Sequence, residues 1–251
     1  MKRTELGLYL ADFLDTDSYS DYCVNGLQVE GNKEVKSVVT GVSVSERLFQ
    51  AAIEKGADTI IVHHGLFWRN SPNPFKLTGI TYNRVRLLIE HNINLFAYHL
   101  PLDSHPKIGN NALIAKALGL KNRKMIEFPD ISAGMGELTS PLSINEFHGH
   151  ADKLFEAEGL MLPGNQDSIQ KVFIISGGGG NDYQDAYSNG ADVYVTGELE
   201  DHSVRGAEEL GLALYAPGHY NSEKWGIREL GNHLEREFGF TTDFVDIPNP
   251  I

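Results

Sequence analysis

The chain has 251 residues, and its 34 acidic residues against 21 Lys and Arg residues give a formal net charge of −13. That length can bury a substantial core, as one large domain or as two smaller lobes, whereas the negative charge argues against broad electrostatic binding of nucleic acids. Cys23 is the single cysteine, which excludes an internal disulfide and a metal site built from several thiolates.

The first predicted element is an amphipathic helix in "MKRTELGLYLADFLD", where Glu5 and Asp12 interrupt the apolar residues. These charges are not typical of a signal peptide. No apolar run approaches the ~18 residues that a membrane-spanning helix needs. We therefore expect a cytoplasmic protein that does not bind membranes.

The rest of the first half is predicted to alternate strands and helices, which favours a mostly parallel sheet covered on both faces. The predicted strands lie at 35–42, 58–64 and 93–100, and the predicted helices at 43–56, 79–92 and 109–119. Ser43 and Glu46 have the spacing of a capping box, so the first of these helices is expected to begin there.

The second half of the chain contains three short segments similar to segments of the first half, in the same order. "KVFIISG" matches "SVVTG", "GADVYVTGEL" matches "GADTIIVHHG", and "LALYAPGHYNSE" matches "NLFAYHLPLDSH". The segment between them, 121–170, is predicted as a strand in "MGELTSPL", a helix in "SINEFHGHADKLFEAEG" and a turn in "LPGNQDS". The alternative is that unrelated α/β segments share the same strand-to-helix pattern.

We therefore predict an α/β fold of two similar, pseudo-duplicated lobes, 1–124 and 125–251. Each lobe is expected to be a mixed, mostly parallel sheet flanked by helices, with a metal site between the lobes. Ligands of open α/β sheets bind beyond the carboxyl ends of the strands, and ligand-type side chains lie at those ends. They are His63, His64, His99, Asp103, His105, Glu198, His202, His219 and Glu223.

The adjacent pair His63 and His64 follows a β-branched run, and a strand sends adjacent side chains to opposite faces. The pair can present one ring to each of two ions, or both rings to one ion if the backbone turns. Imidazoles and carboxylates suit Zn²⁺, Mn²⁺, Fe²⁺, Co²⁺ or Ni²⁺, and the two oxygens of Asp103 can bridge two such ions.

Other roles remain open for several of these residues. Asp103 can cap the following helix, and Glu223 can be an acid of a helix first turn. Glu198 and His202 can form a surface pair. The glycine-rich stretch "ISGGGGND" can cradle a phosphate or can be a tight turn, since it matches neither common nucleotide-binding fingerprint.

The motifs "NGLQVEG", "IVHHGLFW", "YHLPLDSHPKIGNNALIAKALG", "TGEL" and "GHYNSEKWGIREL" resemble the NIF-three-like proteins. The resemblance covers nearly the whole chain and is strongest to the bacterial YbgI-type members, the GTP cyclohydrolase I type II homologues. It implies two divalent metal ions per chain. The implied ligands are His63, His64, Asp103, His219 and Glu223.

The resemblance also implies a homo-oligomer, a toroidal hexamer with its sites facing a central cavity. The first functional hypothesis is a metal-dependent hydrolase acting on a small, nucleotide-like molecule. Its catalytic candidates are His99, Glu198 and His202, of which Glu198 or His202 would shuttle protons. The second hypothesis is a non-catalytic, ring-shaped scaffold or interaction protein that binds metal.

Overall fold

The computed structural model describes residues 1–71 and 76–251. The chain divides into two compact units, each made of two stretches of sequence. The first comprises Met1–Leu102 and Gly226–Ile247, and the second Asp103–Trp225 and Pro248–Ile251. The predicted lobes, 1–124 and 125–251, divide the chain by internal similarity, and that division stays a prediction.

The described residues form helices and strands that alternate along much of the chain. The helices are α1 (Arg3–Phe13), α2 (Glu46–Glu54), α3 (Gly79–Glu90), α4 (Leu100–Ser104), α5 (Asn110–Ala117), α6 (Ile144–Phe155), α7 (Tyr183–Ser188), α8 (Asp201–Leu210) and α9 (His219–Phe238). The strands are β1 (Gly26–Val29), β2 (Ser37–Ser43), β3 (Thr59–His64), β4 (Asn94–Ala97), β5 (Lys121–Glu127), β6 (Ser132–Leu142), β7 (Leu160–Leu162), β8 (Ile169–Ile175), β9 (Val193–Thr196), β10 (Ala213–Ala216) and β11 (Thr241–Phe244).

The first unit contains, within the described residues, a five-stranded sheet in the order β1-β4-β3-β2-β11. Strands β4, β3, β2 and β11 are parallel, and β1 is antiparallel at the edge. Helices α2 and α3 bury Phe49 and Leu88 against Ile60 and Leu95 of the sheet. Here the prediction of a mostly parallel, helix-covered sheet is confirmed.

The second unit contains a six-stranded sheet in the order β5-β6-β8-β9-β10-β7 in the part of the chain described. Only β8, β9 and β10 are parallel, while β5, β6 and β7 make antiparallel pairs. The predicted mixed sheet is confirmed, whereas the prediction that its strands are mostly parallel is wrong here. The segment 121–170 supplies three extra strands, and these join their neighbours as antiparallel partners, which no βαβ pattern predicts.

Helix α2 begins later than the capping-box spacing predicted. Strand β2 continues through Ser43, and the cap is Ser45, whose side chain accepts a hydrogen bond from the amide of Leu48. Ser43 pairs with His64 in the ladder, and the amide of Val44 donates to the carbonyl of His64, so the chain is still bonded to β3 where the predicted helix would start. The sheet register outweighs the local capping signal.

The two Gly-Ala-Asp segments fold alike in their own units. Gly56 and Gly190 both have a positive φ, at 65° and 74°. Asp58 accepts hydrogen bonds from two backbone amides at the start of β2, and Asp192 accepts two at the start of β8. The three matched segments supply three neighbouring parallel strands in each sheet. These likenesses support the repeat, and duplication of whole lobes stays a prediction.

None of the helices in the described residues combines the length and the apolar character that a bilayer span requires.

Candidate metal centre

Two histidines lie at the carboxyl end of a buried central strand of the first unit. The residues of β3 before them are buried, His63 is 0% exposed and His64 is half-buried. The Nδ1–H of His63 donates to the carbonyl oxygen of Tyr98 at 3.0 Å. That bond fixes the tautomer of His63 and leaves the lone pair on Nε2, the arrangement that metal-binding histidines use. Nδ1 of His64 lies 2.9 Å from the hydroxyl of Ser43.

His99 joins this pair from the end of the neighbouring strand β4. Ligand-type nitrogen atoms of His63, His64 and His99 all lie within 4.8 Å of one another. The ring centroid of His99 is 5.0 Å from that of His63 and 5.6 Å from that of His64. We call these three residues the histidine group. Three imidazoles converging at a strand end can hold a divalent ion.

A buried carboxylate that the sequence analysis missed fixes the ring of His99. Asp21 is 2% exposed, and its Oδ1 lies 3.0 Å from His99 Nδ1. Its two oxygens also accept hydrogen bonds from the backbone amides of Cys23 and Leu100 and from the side-chain amide of Asn25. Nothing marks Asp21 in the sequence, because its segment has neither helical nor strand periodicity.

The hydrogen bonds around Asp21 outweigh the effect of its burial. Burial by itself raises the pKa of the carboxyl, but the hydrogen bond and charge of His99 and the donors of Cys23 and Asn25 lower it to about 2. Asp21 is therefore ionised at neutral pH. Because it accepts the proton on His99 Nδ1, His99 presents Nε2 to its surroundings.

In the second unit, His219 and Glu223 lie on the first turn of α9. Helix α9 begins at His219, directly after Gly218, so the two side chains are four residues apart on one helical face. His219 Nε2 lies 2.9 Å from a carboxylate oxygen of Glu223, and His219 Nδ1 lies 2.5 Å from Glu198. The helical relation that the sequence left open is thus present.

The two carboxylates determine the protonation of His219 in the absence of metal. Burial by itself lowers the pKa of the His219 imidazole. The hydrogen bonds and charges of Glu223 and then of Glu198 raise it, and the resulting pKa is about 9. Glu223 is 2% exposed and Glu198 is half-buried. The two carboxylates therefore favour a positive charge at this position, carried either by the protonated imidazole or by a metal ion.

The glycine-rich turn after β8 allows the backbone to approach these side chains. Gly177 has φ +66°, and a Cβ there would lie 2.0 Å from Glu223 Oε1 and 3.2 Å from His219 Nε2. Its amide donates to Ser222 Oγ at 2.8 Å, and its carbonyl accepts from the amide of Glu198 at 3.0 Å. These bonds within the fold favour the tight-turn interpretation of this stretch over a phosphate cradle.

Asp103 is buried in the second unit, within α4. Its Oδ1 accepts hydrogen bonds from Asn110 Nδ2 at 2.7 Å and from Ser176 Oγ at 3.0 Å. The N-cap of α5 is Gly109, so Asp103 does not cap the following helix. Buried and oriented carboxylates of this kind are suited to binding a cation.

Two further strand-end candidates lie in other surroundings. His202 is exposed on α8, where its ring contacts Asn181 and Glu200. Nδ1 of His105 accepts from the amides of Lys107 and Ile108 and so stabilises a turn. Glu198 contacts His219, whereas His202 contacts Asn181 and Glu200 at the surface.

The single thiol of the chain is not in the form that binds metals. Cys23 is 1% exposed, and burial raises the pKa of its thiol to about 12. The thiol therefore stays protonated at neutral pH, and thiolates are the form that binds metals. Imidazoles and carboxylates remain as the clustered donors, and groups of them could hold metal ions.

The fold and these donor groups define a mixed α/β protein whose clustered histidine and carboxylate side chains could hold metal ions. Residues 1–250 match the model of the Duf34/NIF3 (NGG1p interacting factor 3) family. The chain belongs to this family.

Several relatives and solved structures resemble the chain over its full length. It is 39% identical over 252 residues to a GTP cyclohydrolase 1 type 2 homolog of Haemophilus influenzae, with 100% of both chains covered. It is 38% identical over 251 residues to that of Escherichia coli K12, again with 100% of both covered. The structure of protein ybgI, described as of unknown function, has a TM-score of 0.93 at 37% identity and 100% coverage of both chains.

Proposed function

We propose that this protein is a hydrolase that depends on two divalent metal ions and acts on a small, nucleotide-like molecule. The observation that carries the proposal is the chemistry of the clustered side chains. They are imidazoles whose tautomers are fixed by hydrogen bonds, together with buried carboxylates, and such groups could hold metal ions. The nucleotide-like substrate is supported by the names of the relatives.

The proposed ligands come from both units of the chain. They are His63, His64, Asp103, His219 and Glu223. All five are imidazoles or carboxylates, which suit Zn²⁺, Fe²⁺, Mn²⁺, Co²⁺ or Ni²⁺. When bound, a pair of such ions acts as a Lewis acid and lowers the pKa of a bound water to about 7.

In this proposal His99 transfers protons and Glu198 positions the ring of His219. Asp21 holds the proton of His99 on Nδ1, so Nε2 of His99 accepts a proton from water or substrate. Glu198 contacts His219 Nδ1 and orients that ring. His202 is exposed on α8, and in this proposal it faces the substrate and does not contact the metal ligands.

A screen of metal-loaded protein tests the hydrolase. We expect turnover of a nucleotide or a simple phosphoester that is lost on chelation and lost in Asp103→Asn. Light scattering measures the assembly in parallel, for which we propose a homo-oligomer and specifically a hexamer. If chelation dissolves the assembly and no turnover is ever found, the non-catalytic scaffold replaces the hydrolase.

Removal of His64 tests the metal ligands. In His64→Ala we expect loss of bound metal with little loss of fold, because His64 lies at the half-buried end of β3 and not in the core. Elemental analysis and circular dichroism measure the two effects. The control is His150→Ala, an exposed histidine on α6. An unchanged metal-to-protein ratio in His64→Ala would remove this residue from the site.

A further inference from the structure

Two aromatic side chains of the first unit lie beside the histidine group. The rings of Tyr22 and Trp68 stack with centroids 5.5 Å apart and planes at 28°. Both rings meet His99 edge to face, Tyr22 at 5.0 Å and Trp68 at 5.3 Å, and Trp68 lies 6.1 Å from His64. We call Tyr22 and Trp68 the aromatic pair.

The backbone holds the aromatic pair in place. Cys23 and Trp68 form an antiparallel backbone bridge. On either side of it, the amide of Val24 donates to the carbonyl of Phe67, and the amide of Arg69 donates to the carbonyl of Tyr22. Asp21, directly before Tyr22, is fixed by its buried hydrogen bonds. The rings are therefore positioned before any ligand arrives, which lowers the entropy cost of binding one.

The aromatic pair presents apolar surface beside the polar histidine group. Tyr22 is 52% exposed, and Trp68 is only partly buried against the core. The indole Nε1 of Trp68 donates to the carbonyl oxygen of Gly65 at 3.1 Å. Its hydrogen-bond donor is thus used within the fold, and what the indole offers a ligand is its π-surface.

We infer that the aromatic pair binds a planar heteroaromatic ring of the substrate by stacking. Small-molecule sites combine aromatic walls with a few placed polar groups, and aromatic side chains stack on any base. A ring stacked here lies next to the imidazole of His99. The inference rests on the proposed function for the substrate class and adds which residues recognise its ring.

Guanosine separates ring recognition from metal and phosphate chemistry, because it has a planar base and no charge. We expect guanosine to bind the metal-loaded wild type, and Tyr22→Leu and Trp68→Leu to weaken this binding roughly 10-fold or more, within the range of base–aromatic stacking. Trp68→Phe keeps an aromatic face and should retain most of the affinity. Calorimetric titration measures each dissociation constant.

The controls separate the subsite from the fold and from the metal. Tyr187→Leu removes a tyrosine that is 49% exposed on α7, and should bind guanosine as the wild type does. Ribose 5-phosphate, which lacks the base, should bind all variants alike. Metal content and circular dichroism verify each protein. If Trp68→Leu does not fold, Tyr22→Leu and Trp68→Phe decide the question.

The inference is overturned if wild type does not bind guanosine, or if Tyr22→Leu and Trp68→Leu bind it as tightly as wild type. Failure of the proposed hydrolase has a different result. In that case the aromatic pair still binds guanosine, but no substrate is turned over in a metal-dependent way.

Discussion

Gly177→Ala is expected to unfold more easily than the wild type by roughly 2–5 kcal/mol and to bind metal at least tenfold more weakly. The backbone at Gly177 has φ +66°, a left-handed conformation that costs an L-residue about 1–2 kcal/mol. The added Cβ would also lie 2.0 Å from Glu223 Oε1, so the carboxylate or the turn must move, at a further cost of about 1–3 kcal/mol.

The metal effect of Gly177→Ala has the same cause. If the carboxylate moves, Glu223 shifts relative to His219, with which it shares the first turn of α9. If the turn moves instead, the carbonyl of Gly177 that accepts from the amide of Glu198 shifts with it. Metal sites lose affinity when their ligands are displaced by small distances. Chemical denaturation of metal-free protein and a metal-binding titration measure the two effects separately.

Gly149→Ala is the matched control. Gly149 lies within α6, and a Cβ there meets no atom within 4 Å. Alanine is the better helix former by about 1 kcal/mol, so this variant should be as stable as the wild type or slightly more stable. If Gly177→Ala behaves like Gly149→Ala in both stability and metal binding, the close approach at the glycine turn is not a constraint on the site.

Asp21→Asn is expected to destabilise the protein by about 2 kcal/mol or more at neutral pH. The lowering of the carboxyl pKa from 3.8 to about 2 corresponds to about 2 kcal/mol. Asparagine also turns an NH₂ group toward some of the donors that now face the carboxylate, and buried donors left without acceptors add to the cost.

The pH dependence of the destabilisation by Asp21→Asn shows whether the ionised carboxylate is its cause. Because the folded-state pKa of Asp21 is depressed, its contribution is fully present above the unfolded pKa of 3.8 and is lost as pH falls toward about 2. The difference between wild type and Asp21→Asn should therefore narrow over that window. Denaturation of metal-free protein at pH 6, 4 and 2.5 measures it.

Asp17→Asn controls for the loss of one acidic charge. Asp17 is exposed in the same part of the chain, so its variant should match the wild type at each pH. A difference between wild type and Asp21→Asn that stays constant across the pH range would show that the ionised carboxylate is not what stabilises this segment.

The local elements of the first unit could be predicted from the sequence because their signals are local. β-branched runs predicted β2 and β3, and β3 ends at His64 as predicted. Family membership also followed from motifs in the sequence, and a family match over residues 1–250 confirms it.

The second sheet could not be predicted in the same way. Strands β5 and β6 pair with each other, but β6 also pairs with β8 and β7 pairs with β10, and these choices of partner are made by the whole sheet. The start of α2 shows the same limit: Ser43 has a capping signal, but its pairing with His64 keeps it in β2. Here the register of the sheet overrides local propensity.

The sequence by itself determined the kind of chemistry available: imidazoles and carboxylates at strand ends, one thiol, and a strongly negative charge. The tertiary structure decided which of these groups are oriented and how. Asp21 reaches His99 across 78 residues of sequence, and the turn at Gly177 reaches Glu223 on another element. Such contacts depend on side-chain direction and backbone approach, which folding sets and residue spacing does not record.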